Sequence, residues 1–398
     1  MEFLKRIYSN IYKHFKFYLL IVILLLLFIL LEKNELLIEY KLNKDIKKLL
    51  SYYQMCKNGI LINKKKFKKY DNPKISIIAT IYNREKFILT FLRSIQNQFF
   101  DEIEILFIDD CSIDNSIKII EFHQKQDERI VLIKNQKNKG TLIARNIGIL
   151  MSKGIYVIIP DSDDILSKNI LKSCYYLSKK YNYEMIRFNQ YEQRTNGRWA
   201  KIVNKLKSYP IYQPQLSDYI FYALGYFKLN DFSVSNKFVK RELFIKTLNS
   251  INSFFLNQYM TIFEDGIINF ALHRQAKSLY LLKEVGYYYL YNKNSTTKKK
   301  TKKPFIRFLF LYLKYVYENT KNTKYDKLKP FLILNKYIRN IKKVNSINRD
   351  FHSYIDIIDN YLECKFINEK NKKKLKDMKK LIINNKLNIS KKKDLYYL

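Results

Sequence analysis

Asp161-Ser162-Asp163 places two carboxylates two residues apart, and in an extended segment such residues project to the same side. Two like charges held so close disfavour each other unless a cation neutralises them. Oxygen ligands without His or Cys suit Mg2+ or Mn2+, ions that typically bridge protein carboxylates to substrate phosphates. The chemistry this implies is the binding of a nucleotide or other diphosphate. It is not that of a P-loop, because no G-x-x-x-x-G-K-[ST] occurs and Asn138-Lys-Gly140-Thr is only a fragment of one. A second acidic pair, Glu264-Asp265, opens a short helix over GIINFALHR. Its plain role is to complement the helix dipole; its chemical role is that of a general base taking a proton from a hydroxyl.

The elements that must position these groups are legible in the hydrophobic periodicity. ISIIATI (75–81), IEILFI (103–108), RIVLIK (129–134) and IYVIIP (155–160) read as buried strands. Helices lie between them, the first with Phe87, Ile88, Phe91, Leu92 and Ile95 on one face. Strand and helix alternate four times with short connections, the mark of a mostly parallel, Rossmann-like α/β sheet with flanking helices. In open sheets of this kind ligands bind at the carboxyl ends of the strands. Three of the four strands end there in polar runs: Thr80-Ile-Tyr82-Asn83-Arg84, Asp109-Asp110-Cys-Ser112-Ile-Asp114 and Asp161-Ser162-Asp163-Asp164. Asp and Ser after a strand commonly cap the next helix, so each run alone is weak. All of them aimed at one edge make a site.

Composition bounds the rest. An apolar content of 47% with 16% aromatics excludes disorder for most of the chain, and four cysteines in 398 residues exclude a small disulfide scaffold. Only eight residues are glycine, so Gly140, Gly148, Gly154 and Gly266 inside the motif segments are informative. The net charge of +38 is spread among Asn, Ile, Tyr and Phe and lies largely outside the motifs, as a genome-wide composition bias would place it. The proposed site is an acidic island in that background, so no nucleic-acid partner is expected. Residues 17–31 (FYLLIVILLLLFILL) form an uninterrupted apolar run after Lys5, Arg6, Lys13 and Lys16. It is expected to be an uncleaved transmembrane signal anchor with residues 1–16 cytoplasmic, giving a single-pass type II protein with a lumenal body in the Golgi or endoplasmic reticulum. A charged stem covers 32–73, the α/β body 74–296 (halves 74–175 and 176–296), and a Lys-rich helical extension 297–398. Cys56, Cys111, Cys174 and Cys364 allow three pairings with no choice among them, and Asn294 and Asn388 begin glycosylation triplets.

PKISIIATIYNREKFI, SIQNQ, EILFIDDCSIDNS, NKGTLIARNIGI and GIYVIIPDSDD, in that order and spacing, resemble the family 2 glycosyltransferases of the GT-A fold. The resemblance is specific over 73–170 and looser through SNKFVKRELF, FEDGIINFAL and YYYLYNKNS. It implies an inverting transferase of hexosyl or N-acetylhexosaminyl type. Such an enzyme moves a sugar from a nucleotide-sugar donor, by resemblance a UDP-sugar, to a glycan, glycoprotein or glycolipid acceptor with Mn2+ or Mg2+. Carried over by position, Thr80 and Tyr82 border the nucleotide and Asp110 hydrogen-bonds its base. Arg145 helps hold the donor, Asp161 and Asp163 form the metal-binding D-x-D, Asp265 is the base and Glu264 positions the acceptor. The chain departs at Ile113, where Thr is common, and at Pro160, where an apolar residue such as Leu is usual. Two rival readings are a nucleotidyltransferase, which needs a Gly-rich basic loop that Thr80–Arg84 lacks, and a non-catalytic carbohydrate- or nucleotide-sugar-binding membrane protein.

Overall fold

The computed structural model describes residues 67–193, 195, 199–201, 209–212 and 233–292, with single positions between 308 and 319 and between 373 and 380. All of them belong to one compact unit, Lys65–Leu398. The apolar run at 17–31, most of the stem, Cys56, Cys364, Asn294 and Asn388 lie outside the described residues. Among the described residues no helix is long and apolar enough to cross a membrane.

The first half alternates as its periodicity predicts: β1 (Ile75–Ile81), α1 (Ile88–Gln96), β2 (Ile103–Asp109), α2 (Ser116–Gln124), β3 (Ile130–Lys134), α3 (Thr141–Met151) and β4 (Tyr156–Ile158). Parallel strands covered on both faces read as near-continuous apolar runs, and β1 does so because each of its faces meets a separate core. Ile75, Ile77, Ala79 and Ile81 pack with α1, whose Ile88, Phe91, Leu92 and Ile95 are wholly buried at helical spacing. Ile78 faces the other way, into a core built with Leu142, Ala144 and Ile149 of α3. Each such side chain contributes roughly 1.5–3 kcal/mol when fully removed from water.

The strand expected over 155–160 is shorter than its apolar run: β4 pairs only through Tyr156–Ile158. Pro160 has no N–H to offer a ladder, so the chain leaves the sheet ahead of it and turns through Asp161–Asp164.

The second half adds β5 (Ile165–Leu166), α4 (Ile170–Tyr181), β6 (Met185–Gln193), β7 (Trp199–Lys201), β8 (Tyr209–Tyr212), β9 (Lys237–Lys240), α5 (Arg241–Ser250), α6 (Ser253–Leu256), α7 (Glu264–Gln275) and β10 (Ser278–Tyr289). Both halves share one sheet in the order β3-β2-β1-β4-β9-β6-β10-β5, with β7 beside β6 and β8 beside β10. β9 runs antiparallel between β4 and β6, while β10 is parallel to β6. The strand order reverses between β1 and β4, which opens the crevice where such sheets take ligands. The core also continues past residue 296, since Phe308, Leu311, Tyr312, Tyr315 and Val316 join the cluster that buries α7. Cys111 and Cys174 are both free thiols, so they are not paired with each other.

α3 can lie close on the sheet because Gly148 has no side chain: a Cβ there would meet Ile78 Cγ2 at 2.3 Å and Ile108 Cγ1 at 3.2 Å. Gly148→Ala is therefore expected to lower the unfolding free energy by about 1–2 kcal/mol in a urea titration, although alanine gains roughly 1 kcal/mol of helix propensity.

Candidate functional site

The crevice is bounded on one side by the loops after β1 and β2, which are laced together by hydrogen bonds. Asn83 takes a left-handed backbone (φ 54°), donates from its N–H to Ser112 Oγ at 3.0 Å and accepts from Ile113 N at 2.9 Å. Arg84 N donates to Ser116 Oγ at 2.7 Å and Glu85 N to Asp114 Oδ2 at 3.0 Å. The side chain of Ile113 stays in solvent, 88% exposed, so its departure from the family pattern leaves the loop lacing untouched.

Asp110 is buried and organises the β3–α3 loop. Its Oδ1 accepts from Asn135 Nδ2 at 3.0 Å and Lys139 N at 2.8 Å, and its Oδ2 accepts from Gly140 N at 2.8 Å. Gly140 sits at φ 85°, and a Cβ there would lie 3.0 Å from both the N and the O of Met260. Leu142 N completes that junction by donating to Met260 O at 3.2 Å. Thr80 and Tyr82 stand at the adjoining end of β1. The Thr80 carbonyl accepts from Ser162 Oγ at 2.8 Å, and the Tyr82 ring is half-exposed at the mouth.

Arg145 lies at the centre. It rides on α3, its side chain is 3% exposed, and it reaches three carboxylates from three elements. Nη2 donates to Asp161 Oδ1 at 2.8 Å, and Nη1 donates to Glu264 Oε1 at 3.1 Å and to Asp265 Oδ1. Burial alone would depress the guanidinium; Asp265, Asp161 and Glu264 outweigh it and hold the cation charged. Glu264 is pushed up to about 7 by burial, against the pull of Arg145, with Asp265 adding to the rise. Asp265 is also raised by burial, with Arg145 and Lys237 opposing, and its side chain keeps 23% of its surface open to the crevice. Glu264 Oε2 is buried with no hydrogen-bond partner among the described residues.

The Asp161–Asp164 turn divides its carboxylates by role. Asp161 spends its second oxygen on Ser235 Oγ at 3.0 Å. Asp163 Oδ2 accepts from Asn292 Nδ2 at 3.0 Å and lies 3.8 Å from Arg84 Nε. Asp164 is structural: Tyr287 Oη donates to its Oδ2 at 2.5 Å, Leu290 N donates to its Oδ1 at 2.9 Å, and burial drives its carboxyl well above the usual range. The same Tyr287 hydroxyl accepts from Asp161 N at 3.0 Å, so β10 holds the turn from behind.

The expected residues thus fall into two groups and one apart: Arg145, Asp161, Glu264 and Asp265 in direct contact, Thr80, Tyr82 and Asp110 along the neighbouring strand ends, and Asp163 with Asn292 and Arg84. Ser235, Tyr287 and Asn292 belong to the site as well. They lie in SNKFVKRELF and the tyrosine-rich segment, where nothing in spacing sets them apart. Buried Lys237 joins them, its Nζ donating to Ser233 O at 2.5 Å.

Among the described residues no group of three or more His, Cys, Asp and Glu side chains could hold a metal by themselves. That arrangement still fits an Mg2+-type ion, which keeps water and substrate phosphate oxygens and needs one or two carboxylates. Asp163 is the group that fits, because its Oδ1 has no hydrogen-bond or ion-pair partner among the described residues and its side chain is 16% exposed at the crevice. Asp161 has both oxygens engaged by Arg145 and Ser235.

Residues 76–248 match the glycosyl transferase family 2 model. The chain is 32% identical over 180 residues to glycosyltransferase GlyG of Streptococcus pneumoniae, covering 43% of this chain and 58% of GlyG. It is 29% identical over 275 residues to EpsH of Bacillus subtilis, covering 67% of this chain and 76% of EpsH. The match therefore spans just over half the length of GlyG. A crystal structure of S. aureus TarS in complex with UDP-GlcNAc shares the fold, with a TM-score of 0.56 at 18% identity over 78% of this chain and 89% of that one.

Arg145→Met would leave three carboxylates without their shared countercharge, at a cost of roughly 3–5 kcal/mol. With the cation gone, the folded-state carboxyls of Glu264 and Asp265, already raised by burial, lose the group that held them down and rise further above those of the unfolded chain. Stability is then fullest at low pH and is lost as pH climbs through the raised values. Thermal unfolding of the variant should show a larger deficit against the parent chain at pH 8 than at pH 5.

Proposed function

We propose that this chain is an inverting glycosyltransferase that moves a sugar from a UDP-sugar to an acceptor hydroxyl. The observation that carries the reading is Arg145, whose single guanidinium joins Asp161 of the D-x-D turn to Glu264-Asp265 at the start of α7. A donor diphosphate lodged at the turn would lie within a few ångströms of a carboxylate able to take a proton. The match of residues 76–248 and the fold shared with TarS, solved with UDP-GlcNAc, support the same class of donor.

In this mechanism Asp265 accepts the proton of the acceptor hydroxyl. The freed oxygen attacks the anomeric carbon as the bond from that carbon to the diphosphate oxygen breaks. UDP departs with the bonding electrons, and the anomeric configuration inverts. Burial makes Asp265 a stronger base than a free aspartate, against the pull of Arg145. Glu264, beside it on the first turn of α7, positions the acceptor. A divalent ion held by Asp163, with Asp161 alongside, would offset the charge that grows on the leaving diphosphate. Thr80, Tyr82 and Asp110 receive the nucleoside. The proposal also takes residues 17–31 as a single membrane anchor, with the catalytic body across the membrane from residues 1–16.

Asp265→Asn keeps the shape and removes the base, so kcat for sugar transfer should fall by about 10²–10⁴ while UDP binding persists. Transfer at the parent rate by that variant would overturn the base assignment. Asp163→Ala should abolish the stimulation of donor hydrolysis by Mn2+ or Mg2+, measured as UDP release. Activity should fall as pH is lowered, because the base must be ionised. Its acid limb should lie above the 3.8 of an ordinary aspartate, since burial raises Asp265. Deleting residues 1–35 should move the protein from the membrane pellet to the supernatant.

A further inference from the structure

Two half-exposed tyrosines stand at the mouth of the crevice, on different halves of the molecule: Tyr82 and Tyr259, each 45% exposed. Tyr82 follows β1, whose last carbonyl, Ile81 O, accepts from Asp110 N at 2.8 Å. Tyr259 comes from the segment between α6 and α7, and its ring sits over the β3–α3 loop. Its Cδ2 lies 3.2 Å from where a Cβ on Gly140 would be, and Gly140 N is the group that donates to Asp110 Oδ2 at 2.8 Å. Asp110 therefore has one tyrosine placed through Ile81 and another through Gly140.

The Tyr259 backbone is fixed. Its neighbour Met260 is fully buried and accepts from Leu142 N at 3.2 Å, while on the other side Gln258 Nε2 donates to Phe254 O at 3.0 Å. The buried Phe308 ring lies 6.4 Å from the Tyr259 ring and supports it. The phenol is raised by burial and then by Asp110 and Tyr82, which places both groups within its electrostatic reach. An aromatic ring kept half in water on a rigid backbone, beside a carboxylate that can accept from a ring N–H, is a platform for a planar base. The ordering cost has been met before the ligand arrives.

We propose that Tyr259 is the second wall of the nucleotide-base site, so that the pyrimidine of the donor lies between Tyr82 and Tyr259 with its polar edge toward Asp110. The inference rests on the UDP-sugar reading above and adds a residue from the second half of the chain to donor recognition. Closure of the base site then requires both halves.

Titration calorimetry on the full chain with UDP and, separately, with inorganic pyrophosphate tests this, both in Mn2+. Stacking on one aromatic side chain changes affinity by roughly five- to a hundredfold. Tyr259→Ala should weaken UDP by about tenfold or more and leave pyrophosphate unchanged, and Tyr259→Phe should restore UDP affinity because the ring and not the hydroxyl stacks. Tyr259→Leu, which keeps an apolar side chain over Gly140 without a ring, should lose as much as alanine. Unchanged UDP affinity in the alanine or leucine variant, with the parent binding UDP, would overturn the inference and leave the transferase reading standing. Equal losses for UDP and pyrophosphate would also overturn it, since the ring would then support the loop and not the base. A parent chain that binds no UDP would remove the reading beneath it.

Discussion

The Arg145 guanidinium is the interaction on which the arrangement of the crevice depends. It is a cation almost wholly withdrawn from water, and such a charge is tolerable only where opposite charges and hydrogen-bond acceptors surround it. Its three partners come from α3's two neighbours in space, the turn after β4 and the first turn of α7, so satisfying one side chain fixes the relative position of both halves of the sheet. The balance is not neutral: three carboxylates face one guanidinium, with buried Lys237 acting on Asp265 from beyond. Burial raises Glu264 to about 7, which lets a proton absorb part of the excess near neutral pH. In a chain of net charge +38, the crevice is thus the place where negative charge has been gathered and buried.

That gathering was legible in the sequence as an alignment of strand ends. The runs 75–81, 103–108 and 129–134 became β1, β2 and β3 within a residue at each end, because β1 and β2, buried on both faces, leave an unmistakable apolar block and the edge strand β3 keeps an apolar run although only Ile130 of it is buried. The acidic groups then followed, since a βα alternation can put them at only one edge. β6, β9 and β10 were less legible. β9 is four residues, KFVK, bracketed by lysines, and it becomes a strand because β4 and β6 lie on either side of it. β10 carries register shifts near Val285 and a tyrosine run, so its alternation breaks where it matters. Tertiary pairing decided those elements, not local pattern.

The same division holds for the site. Asp161, Glu264 and Asp265 announced themselves as acidic groups in apolar surroundings, and Arg145 was reached by the family resemblance alone. Asp164 did not reveal its separate role, because only the arrival of the Tyr287 hydroxyl and Leu290 N distinguishes it from its neighbours in the turn. Phe263 gave no sign either. It takes a left-handed backbone at φ 67° immediately before Glu264, an unusual conformation for a bulky residue, and its ring lies parallel to Tyr312 at 6.1 Å. Gly266 leaves room for that tyrosine, since a Cβ there would meet Tyr312 Cε2 at 2.7 Å.

Two tethers tie α3 to the chain entering α7. Leu142 N bonds to Met260 O, and one helical turn later Arg145 bonds to Glu264 and Asp265. α3 thereby acts as a ruler for the segment 260–265. Adding or deleting one residue between Met260 and Glu264 would keep one tether only by breaking the other. Length variation is therefore forbidden in 260–265, and the spacing this segment must keep is set by the pitch of a helix that lies elsewhere in the fold.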